Sequence, residues 1–176
     1  MAVNDVLTVF AGAVVALNVV TVLTVLGRLS GRSGGWDRWL RRRSGEVAAV
    51  LAVGAMAGSL YLSEVAHLIP CRYCWIQRIA MYPLALVLVI GVATRDRRVR
   101  RYAVPMAIIG LGFSTWHYLL QVFPSLEDAS ACNILNPCTI RYAWKFGFVS
   151  IPYMAGSVFA AVLVVLWGRS SQSRIS

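Results

Sequence analysis

The sequence of 176 residues contains four cysteines, which form two closely spaced pairs. Cys71 and Cys74 belong to a Cys-x-x-Cys motif, whereas five residues separate Cys132 from Cys138. All four lie between apolar runs of the chain. Cysteines used as small apolar residues would also occur inside such runs, so this placement favours disulfide chemistry in an oxidising compartment.

The Cys71–Cys74 pair directly precedes a predicted helix, and this position has a chemical use. The free amide hydrogens and partial positive charge of a helix N-terminus stabilise a thiolate, and Cys74 occupies such a position. Arg78 follows one turn later on the same face, at a membrane depth where a guanidinium is costly without a partner. We therefore expect Cys74 and Arg78 to form one site.

The second pair lies in a loop, residues 123–145, that contains Pro124 and Pro137 and has little regular periodicity. A mobile loop disulfide near a membrane-anchored dithiol suggests exchange through a mixed disulfide. The alternative is that both pairs are structural disulfides that tie external loops.

Two other uses of clustered cysteines fit the spacing poorly. Structural zinc sites usually combine two short Cys-x-x-Cys-like knuckles, and the interval between Cys132 and Cys138 is wide for one. Covalent haem requires a histidine directly after the second cysteine of Cys-x-x-Cys, and this position is Trp75. The sequence therefore predicts no metal centre.

Polar and aromatic side chains are predicted to cluster near the outer ends of the helices. His117 and Gln121 are four residues apart and share one helix face, and Arg78 should lie at a similar depth. Together with Trp75 and Trp116 they could hold a flat, lipid-soluble redox ring by hydrogen bonds and stacking. The alternative is that they are ordinary residues of the membrane interface.

The elements that position these residues are predicted to be membrane spans. Hydrophobic residues make up 59% of the chain and charged residues 14%, and the mean hydropathy is +0.68. Soluble domains carry roughly 25% charged residues, so this composition indicates a membrane protein. The apolar runs are Val6–Leu26, Val47–Ile69, Trp75–Thr94, Tyr102–Val122 and Phe146–Trp167. We expect an all-α membrane protein, with a four-helix transmembrane bundle and one additional N-terminal transmembrane helix.

The basic residues predict the orientation in the membrane. Thirteen of the seventeen lie in residues 28–43, in residues 95–101 and after Trp167, which marks these segments as cytoplasmic. The same clustering excludes nucleic acid as the reason for the net charge of +10. The N-terminus and all four cysteines are then outside and the C-terminus inside. The first run follows Asp5 and no basic segment, so we expect a retained helix and not a signal peptide.

This map divides the chain into four parts of a multi-pass protein of the cell membrane. Residues 1–27 form the additional helix, 28–46 a basic cytoplasmic loop, 47–168 the four-helix bundle and 169–176 a cytoplasmic tail.

Several motifs resemble the DsbB/BdbC family of membrane thiol:quinone oxidoreductases. They are Tyr61-Leu62-Ser63-Glu64, Pro70-Cys71-Arg72-Tyr73-Cys74-Trp75-Ile76-Gln77-Arg78, His117-Tyr118-Leu119-Leu120-Gln121, the pair Cys132 and Cys138, and Trp144 followed by Phe146-Gly147-Phe148 and Ile151-Pro152. The motifs are similar in order and spacing over residues 47–167. The short interval within the second cysteine pair is closer to the BdbC branch.

The resemblance implies a reaction and roles for the four cysteines. Proteins of this family reoxidise a DsbA-like extracytoplasmic thiol oxidase and pass two electrons to a membrane quinone. By this resemblance Cys74 is adjacent to the quinone and Cys71 is its partner, while Cys132 and Cys138 are the exchanging loop pair. Cys132 is then the site of the mixed disulfide with the partner oxidase.

The resemblance also implies a quinone site, for menaquinone or ubiquinone from the membrane pool. Arg78, His117 and Gln121 match its quinone-proximal positions. The sequence departs from the four-helix pattern in three ways: the extra first span, whose role is open, Tyr73, where leucine is more usual, and the short Cys132–Cys138 interval. The last two departures remove no chemical group.

Two alternatives remain at this point. A protein similar to vitamin K epoxide reductase also combines a helical bundle, a Cys-x-x-Cys motif, a loop pair and a quinone. In that family the loop pair precedes the motif, whereas here Cys71 and Cys74 come first. The other alternative is a membrane subunit without activity, stabilised by two inert disulfides.

Overall fold

The structure is a computed structural model that describes residues 3–31, 34–126, 132 and 137–167. The helices are α1 (Val3–Leu29), α2 (Gly35–Arg42), α3 (Ser44–Leu60), α4 (Arg72–Ala93), α5 (Arg100–Val122) and α6 (Ile151–Trp167). Helices α1, α4 and α5, and α3 with its extension to Val65, are long and apolar enough to cross a bilayer, and α6 is a shorter apolar helix. The prediction of an all-α membrane protein is confirmed.

Helices α3, α4, α5 and α6 form a closed four-helix bundle in which each packs against two neighbours. Leu84 and Leu88 of α4 and Phe159 and Val162 of α6 are completely buried in its core. Helix α1 lies outside this ring and packs on α6. Because lipid is as apolar as leucine, close fit and polar contacts hold such helices together, and burial of apolar surface contributes little.

The N-terminal boundary of α6 differs from the prediction. The predicted span begins at Phe146, but the helix begins at Ile151. A tight turn precedes it, closed by backbone hydrogen bonds between Lys145 and Val149. In this turn Gly147 has a φ of +80°, which glycine adopts without strain. Apolar residues of a turn and of a helix contribute alike to hydropathy, so the pattern could not separate them.

The second span also ends earlier than predicted. Helix α3 continues as a π-helical turn over Tyr61–Val65 and then stops, whereas the apolar run extends to Ile69. The chain turns at His67, whose φ is +52°. This turn leads directly to Cys71, the residue that precedes α4.

Residues 28–46, predicted as a loop, contain the amphipathic helix α2. Asp37 and Leu40 are buried on one side, and the exposed rings of Trp36 and Trp39 stack at 5.2 Å on the other. The segment is too short and too charged to appear as an apolar run. The predicted tail, residues 169–176, lies outside the described residues.

Arg28, at the end of α1, connects α1 to α2 and α6. Its Nε donates to Asp37 at 2.6 Å and its Nη1 to the carbonyl oxygen of Val164 at 2.6 Å. That carbonyl belongs to the last turn of α6, where carbonyls lack helical partners and positive charge is favourable. Burial raises the pKa of Asp37, but hydrogen bonds from Arg28 and Arg41 outweigh it and leave the pKa below its ordinary value.

Close packing of α5 on α6 depends on Gly110, where an added Cβ atom would overlap the ring of Phe159. We expect Gly110→Ala to destabilise the bundle by about 1 to 3 kcal/mol, because the buried Phe159 ring has nowhere to move. Thermal unfolding in detergent measures this. Gly112→Ala on the same helix is the control, since a Cβ atom there meets nothing within 4 Å. Equal melting temperatures for both variants would contradict the packing described.

Candidate active site

The Cys-x-x-Cys pair lies at the N-terminus of α4. Cys71 is the N-cap residue, and its Sγ accepts a hydrogen bond from the amide of Cys74 at 3.4 Å. Both residues are free thiols, and their Sγ atoms are 2.9 Å apart. The sequence predicts that the helix N-terminus stabilises a thiolate at Cys74. In the structure the amide of Cys74, in the first turn of α4, donates to the sulfur of Cys71 instead.

The surroundings of Cys71 favour its thiolate. The hydrogen bond from the Cys74 thiol lowers the pKa of Cys71 most, burial opposes this, and the hydrogen bond and charge of His117 lower the pKa further. The net result is a pKa well below the ordinary value of a cysteine. Cys71 is therefore the better leaving group and the more ionised thiol of the pair.

His117 is completely buried in α5 and connects α4 to the loop pair. Its Nε2 lies 3.1 Å from the carbonyl oxygen of Cys138 and 3.5 Å from Cys71 Sγ. A carbonyl only accepts, so Nε2 carries the proton and donates to both atoms. Its Nδ1, 3.0 Å from Gln77 Nε2, then accepts from that side-chain amide. One imidazole thus holds both cysteine pairs in register.

The loop pair forms a disulfide between Cys132 and Cys138. Cys138 is 1% exposed and packs with Cys71 and Leu120 in one cluster, whereas Cys132 is only partly buried. The two pairs, distant in sequence, therefore lie side by side. Of the two disulfide-bonded residues, Cys132 is more exposed than Cys138.

Gln121 fixes the part of the loop that follows Cys138. Its side-chain Nε2 donates to the carbonyl oxygen of Ile140 at 2.9 Å, and its backbone carbonyl oxygen accepts from Arg141 Nε at 2.9 Å. The guanidinium of Arg141 also lies over the Trp144 ring, 4.0 Å from its centroid. Gln121 therefore positions the loop on α5.

A cavity of about 570 Å³ lies on the other side of the Cys71–Cys74 pair. Residues of α1, α3, α4 and α6 line this partly open cavity, and its walls are mostly apolar. Cys74 and Arg78 both line it, so the predicted association of these two residues is found at its wall. The size is ordinary for a small-molecule site.

Ser59 holds the guanidinium of Arg78 at this wall. Arg78 donates from Nε to Ser59 Oγ and from Nη2 to the Ser59 carbonyl oxygen, both at 3.0 Å, and its guanidinium lies 5.3 Å from the centroid of the Trp75 ring. These contacts are the partners that an arginine needs at this depth.

His117 and Gln121 line a second, much smaller pocket, together with both cysteines of the motif and residues of the loop. The structure thus groups them with the segment that carries the Cys132–Cys138 disulfide, on the opposite side of Cys71 from Arg78. Their predicted contact with a quinone stays a prediction.

Sequence reasoning missed two positioning residues, Gln77 and Ser59. Gln77 is a buried polar residue within a span, three residues after Cys74, and this placement alone was a detectable signal. Ser59 lies in a stretch of small residues that indicates only close helix packing.

The site also offers ligands for a metal ion. The donor atoms of Cys71, Cys74 and His117 lie within 4.8 Å of one another. A metal bound there would occupy the same thiols that form a disulfide. The two uses therefore exclude each other at any one time.

Fold and site together define a membrane protein of thiol–disulfide chemistry. Residues 41–168 match the family model described as disulfide bond formation protein DsbB, so the chain belongs to this family. It is 44% identical over 117 residues to disulfide bond formation protein C of Bacillus subtilis, covering 66% of this chain and 85% of the relative. It is 46% identical over 113 residues to the probable disulfide formation protein C of Halalkalibacterium halodurans, covering 64% and 82%. No solved structure matches the chain.

The hydrogen bond from His117 to Cys71 predicts a measurable pKa change. In His117→Phe the pKa of Cys71 should rise by about one unit, the equivalent of one hydrogen bond, because a donor to the thiolate is lost. The pH dependence of alkylation at Cys71, quantified by mass spectrometry on the reduced protein, measures this. The loss of reactivity should be largest at acidic pH, where only a low-pKa thiol is ionised.

Gln121→Leu is the matched control for this variant. Gln121 lies one turn after His117 on α5, but its amide donates to Ile140. The alkylation profile of Cys71 should therefore be unchanged in Gln121→Leu. Identical profiles for His117→Phe and the original chain would show that His117 does not act on this thiol.

Proposed function

We propose that this protein is a thiol:quinone oxidoreductase that reoxidises a DsbA-like extracytoplasmic thiol oxidase and passes two electrons to the membrane quinone pool. One observation carries the proposal: the Cys71–Cys74 pair lies between the Cys132–Cys138 disulfide on one side and an apolar cavity on the other. Such a dithiol can exchange with the disulfide and be oxidised from the cavity. Membership of the disulfide bond formation family supports the first half.

The exchange begins at Cys132, which is more accessible than Cys138. A thiolate of the partner attacks the Cys132 sulfur, a partner–Cys132 bond forms and Cys138 leaves as a thiolate. The second thiol of the partner then attacks the partner sulfur of this mixed disulfide, and Cys132 leaves as a thiolate. The partner leaves oxidised, and Cys132 and Cys138 become a dithiol.

The oxidising equivalent then moves inward between the two pairs. Cys138 attacks the sulfur of Cys71 in an oxidised Cys71–Cys74 pair, and Cys74 leaves as a thiolate. Cys132 attacks Cys138 and restores the loop disulfide, and Cys71 leaves. The contacts that lower the pKa of Cys71 make this last departure favourable, with His117 donating to the leaving sulfur.

The residues around the cavity fit a quinone. Cys74 and Arg78 provide a sulfur and a fixed cationic donor on one stretch of wall, and the rest is mainly apolar. A bound quinone, menaquinone or ubiquinone, supplies the acceptor for two electrons and two protons. Arg78 would donate to a ring oxygen, and Ser59 keeps the guanidinium in place for that contact.

The orientation with the cysteines outside is part of this proposal. The described basic residues of segments 28–43 and 95–101 lie at the helix ends opposite the cysteine pairs. Contacts such as Arg28 with Val164 bring those ends together at one face. The positive-inside rule then supports a cytoplasmic location for that face and an external one for the active site.

The test of the function is oxidation of a reduced thiol oxidase by the purified protein in lipid, with and without quinone. We expect partner oxidation that depends on quinone, with one quinol formed for each disulfide. Absence of any turnover would leave an inert membrane subunit with structural disulfides and remove the proposal.

Cys132→Ser should separate the two half-reactions. Partner oxidation should stop because the attacked sulfur is absent, while quinone should still oxidise Cys71 and Cys74 to a disulfide. Thiol trapping and mass spectrometry distinguish the two events. In Cys138→Ser, glutathione disulfide first converts Cys132 to a Cys132–glutathione disulfide; the partner thiolate then attacks the Cys132 sulfur and glutathione leaves as a thiolate. The partner–Cys132 mixed disulfide formed in this way should accumulate when the partner's second cysteine is replaced by serine, because no thiol remains to resolve it. Unchanged partner turnover in both variants would show that the loop pair is structural.

Arg78→Ala should impair the other half-reaction. Quinone-linked turnover should fall by about one to two powers of ten, since a charge-assisted hydrogen bond contributes roughly 1.5 to 3 kcal/mol. Arg78→Lys, which keeps the charge but not the fork of donors, should be intermediate. Exchange between the loop pair and the partner is the internal control and should be unaffected. An unchanged quinone KM and turnover would place the quinone elsewhere.

A further inference from the structure

Helix α1 forms one wall of the cavity although it lies outside the family's matched region, which begins at residue 41. Its lining residues follow one face from residue 10 to residue 20: Phe10, Ala13, Val14, Ala16, Leu17 and Val20. At 1.5 Å per residue this face is about 15 Å long. The cavity is therefore an elongated space that extends well beyond the size of one ring.

The two ends of this space differ in chemistry. Phe10 lies at the level of Arg78, because its ring reaches Gly58, the neighbour of the Arg78 partner Ser59. Leu17 and Val20 lie deeper along α1, opposite Val50, Leu51 and Gly54 of α3. A Cβ atom at Gly54 would meet nothing within 4 Å, which confirms open space there. The outer end offers polar groups and the inner end only apolar ones.

Polar contacts fix α1 in this position. Asn18, in the middle of the helix, donates both amide hydrogens to α6, to Tyr153 Oη and Ser157 Oγ at 3.0 Å each. Arg28 binds the end of α6 at 2.6 Å. In an apolar solvent such bonds specify how helices associate. Helix α1 is thus held as a defined wall of the cavity.

We propose that α1 binds the isoprenoid tail of the quinone and that Leu17 and Val20 determine which tails fit. The inference rests on the proposed function, since it assigns the ring to the outer end beside Cys74 and Arg78. The tail then runs inward between α1 and α3. A four-helix relative without α1 would leave this side of the tail in contact with lipid.

The first test uses a quinone with a photoreactive group on its tail and the original full-length protein. Irradiation followed by peptide mapping should place the label on α1, around Leu17 and Val20. Unlabelled long-tailed quinone should compete for the site. A label confined to α3, α4 and α6 would overturn the proposal without any measurement of activity.

The second test compares quinones with and without an isoprenoid tail in the Leu17→Trp variant. The added bulk should raise the KM for the tailed quinone about tenfold, and the KM for the tail-free quinone should stay within about twofold. Val19→Trp is the matched control, because Val19 is 53% exposed, two residues away and outside the cavity lining. Equal effects on both quinones, or no effect on either, would overturn the role of α1.

These outcomes separate the two proposals. If the original chain uses quinone but the label and Leu17→Trp do not implicate α1, only the inference about the tail fails. If the original chain neither uses nor binds quinone, the proposed function and this inference fail together.

Discussion

Two hydrogen bonds from His117 Nε2, to the Cys138 carbonyl and to Cys71 Sγ, hold the two cysteine pairs of this protein side by side. Residues 137–145, the described part of the loop around Cys138, contain no helix that could fix this segment on the bundle. A buried donor on α5 provides this fixed point. Gln77, by donating to Nδ1, keeps the proton on Nε2 and thereby determines which atoms the imidazole can bind.

The same arrangement gives the Cys71–Cys74 pair two different sides. Toward the loop, Cys71 is buried, accepts hydrogen bonds and has a lowered pKa. Toward the bundle, Cys74 borders an apolar cavity with Arg78. A dithiol between a disulfide and an apolar cavity suits the proposed transfer of electrons from a protein partner to a membrane carrier. The proposed function follows from this asymmetry, because neither side alone would distinguish an enzyme from a structural disulfide.

Helix α1 illustrates how a membrane protein adds an element to an existing bundle. The helix cannot be attached by the hydrophobic effect, since lipid already surrounds it. Its attachment instead uses Asn18 in the middle and Arg28 at the C-terminal end of the helix, both bonded to α6. Because α1 is held on α6 and meets α3 mainly near Phe10, a space remains between α1 and α3 that becomes part of the cavity.

The sequence by itself determined the membrane class, the number of apolar helices and the two cysteine pairs, because length, hydropathy and residue type are local properties. It also predicted that Cys74 and Arg78 belong together, since one helical turn separates them. The tertiary structure decided that Cys71 receives the helix amide, that His117 faces the loop pair, and that α6 begins after the turn at Gly147. It also decided that α1 borders the cavity. In a membrane, the faces of a helix toward lipid, toward a neighbour and toward a cavity are all apolar, so the pattern of residues does not tell them apart.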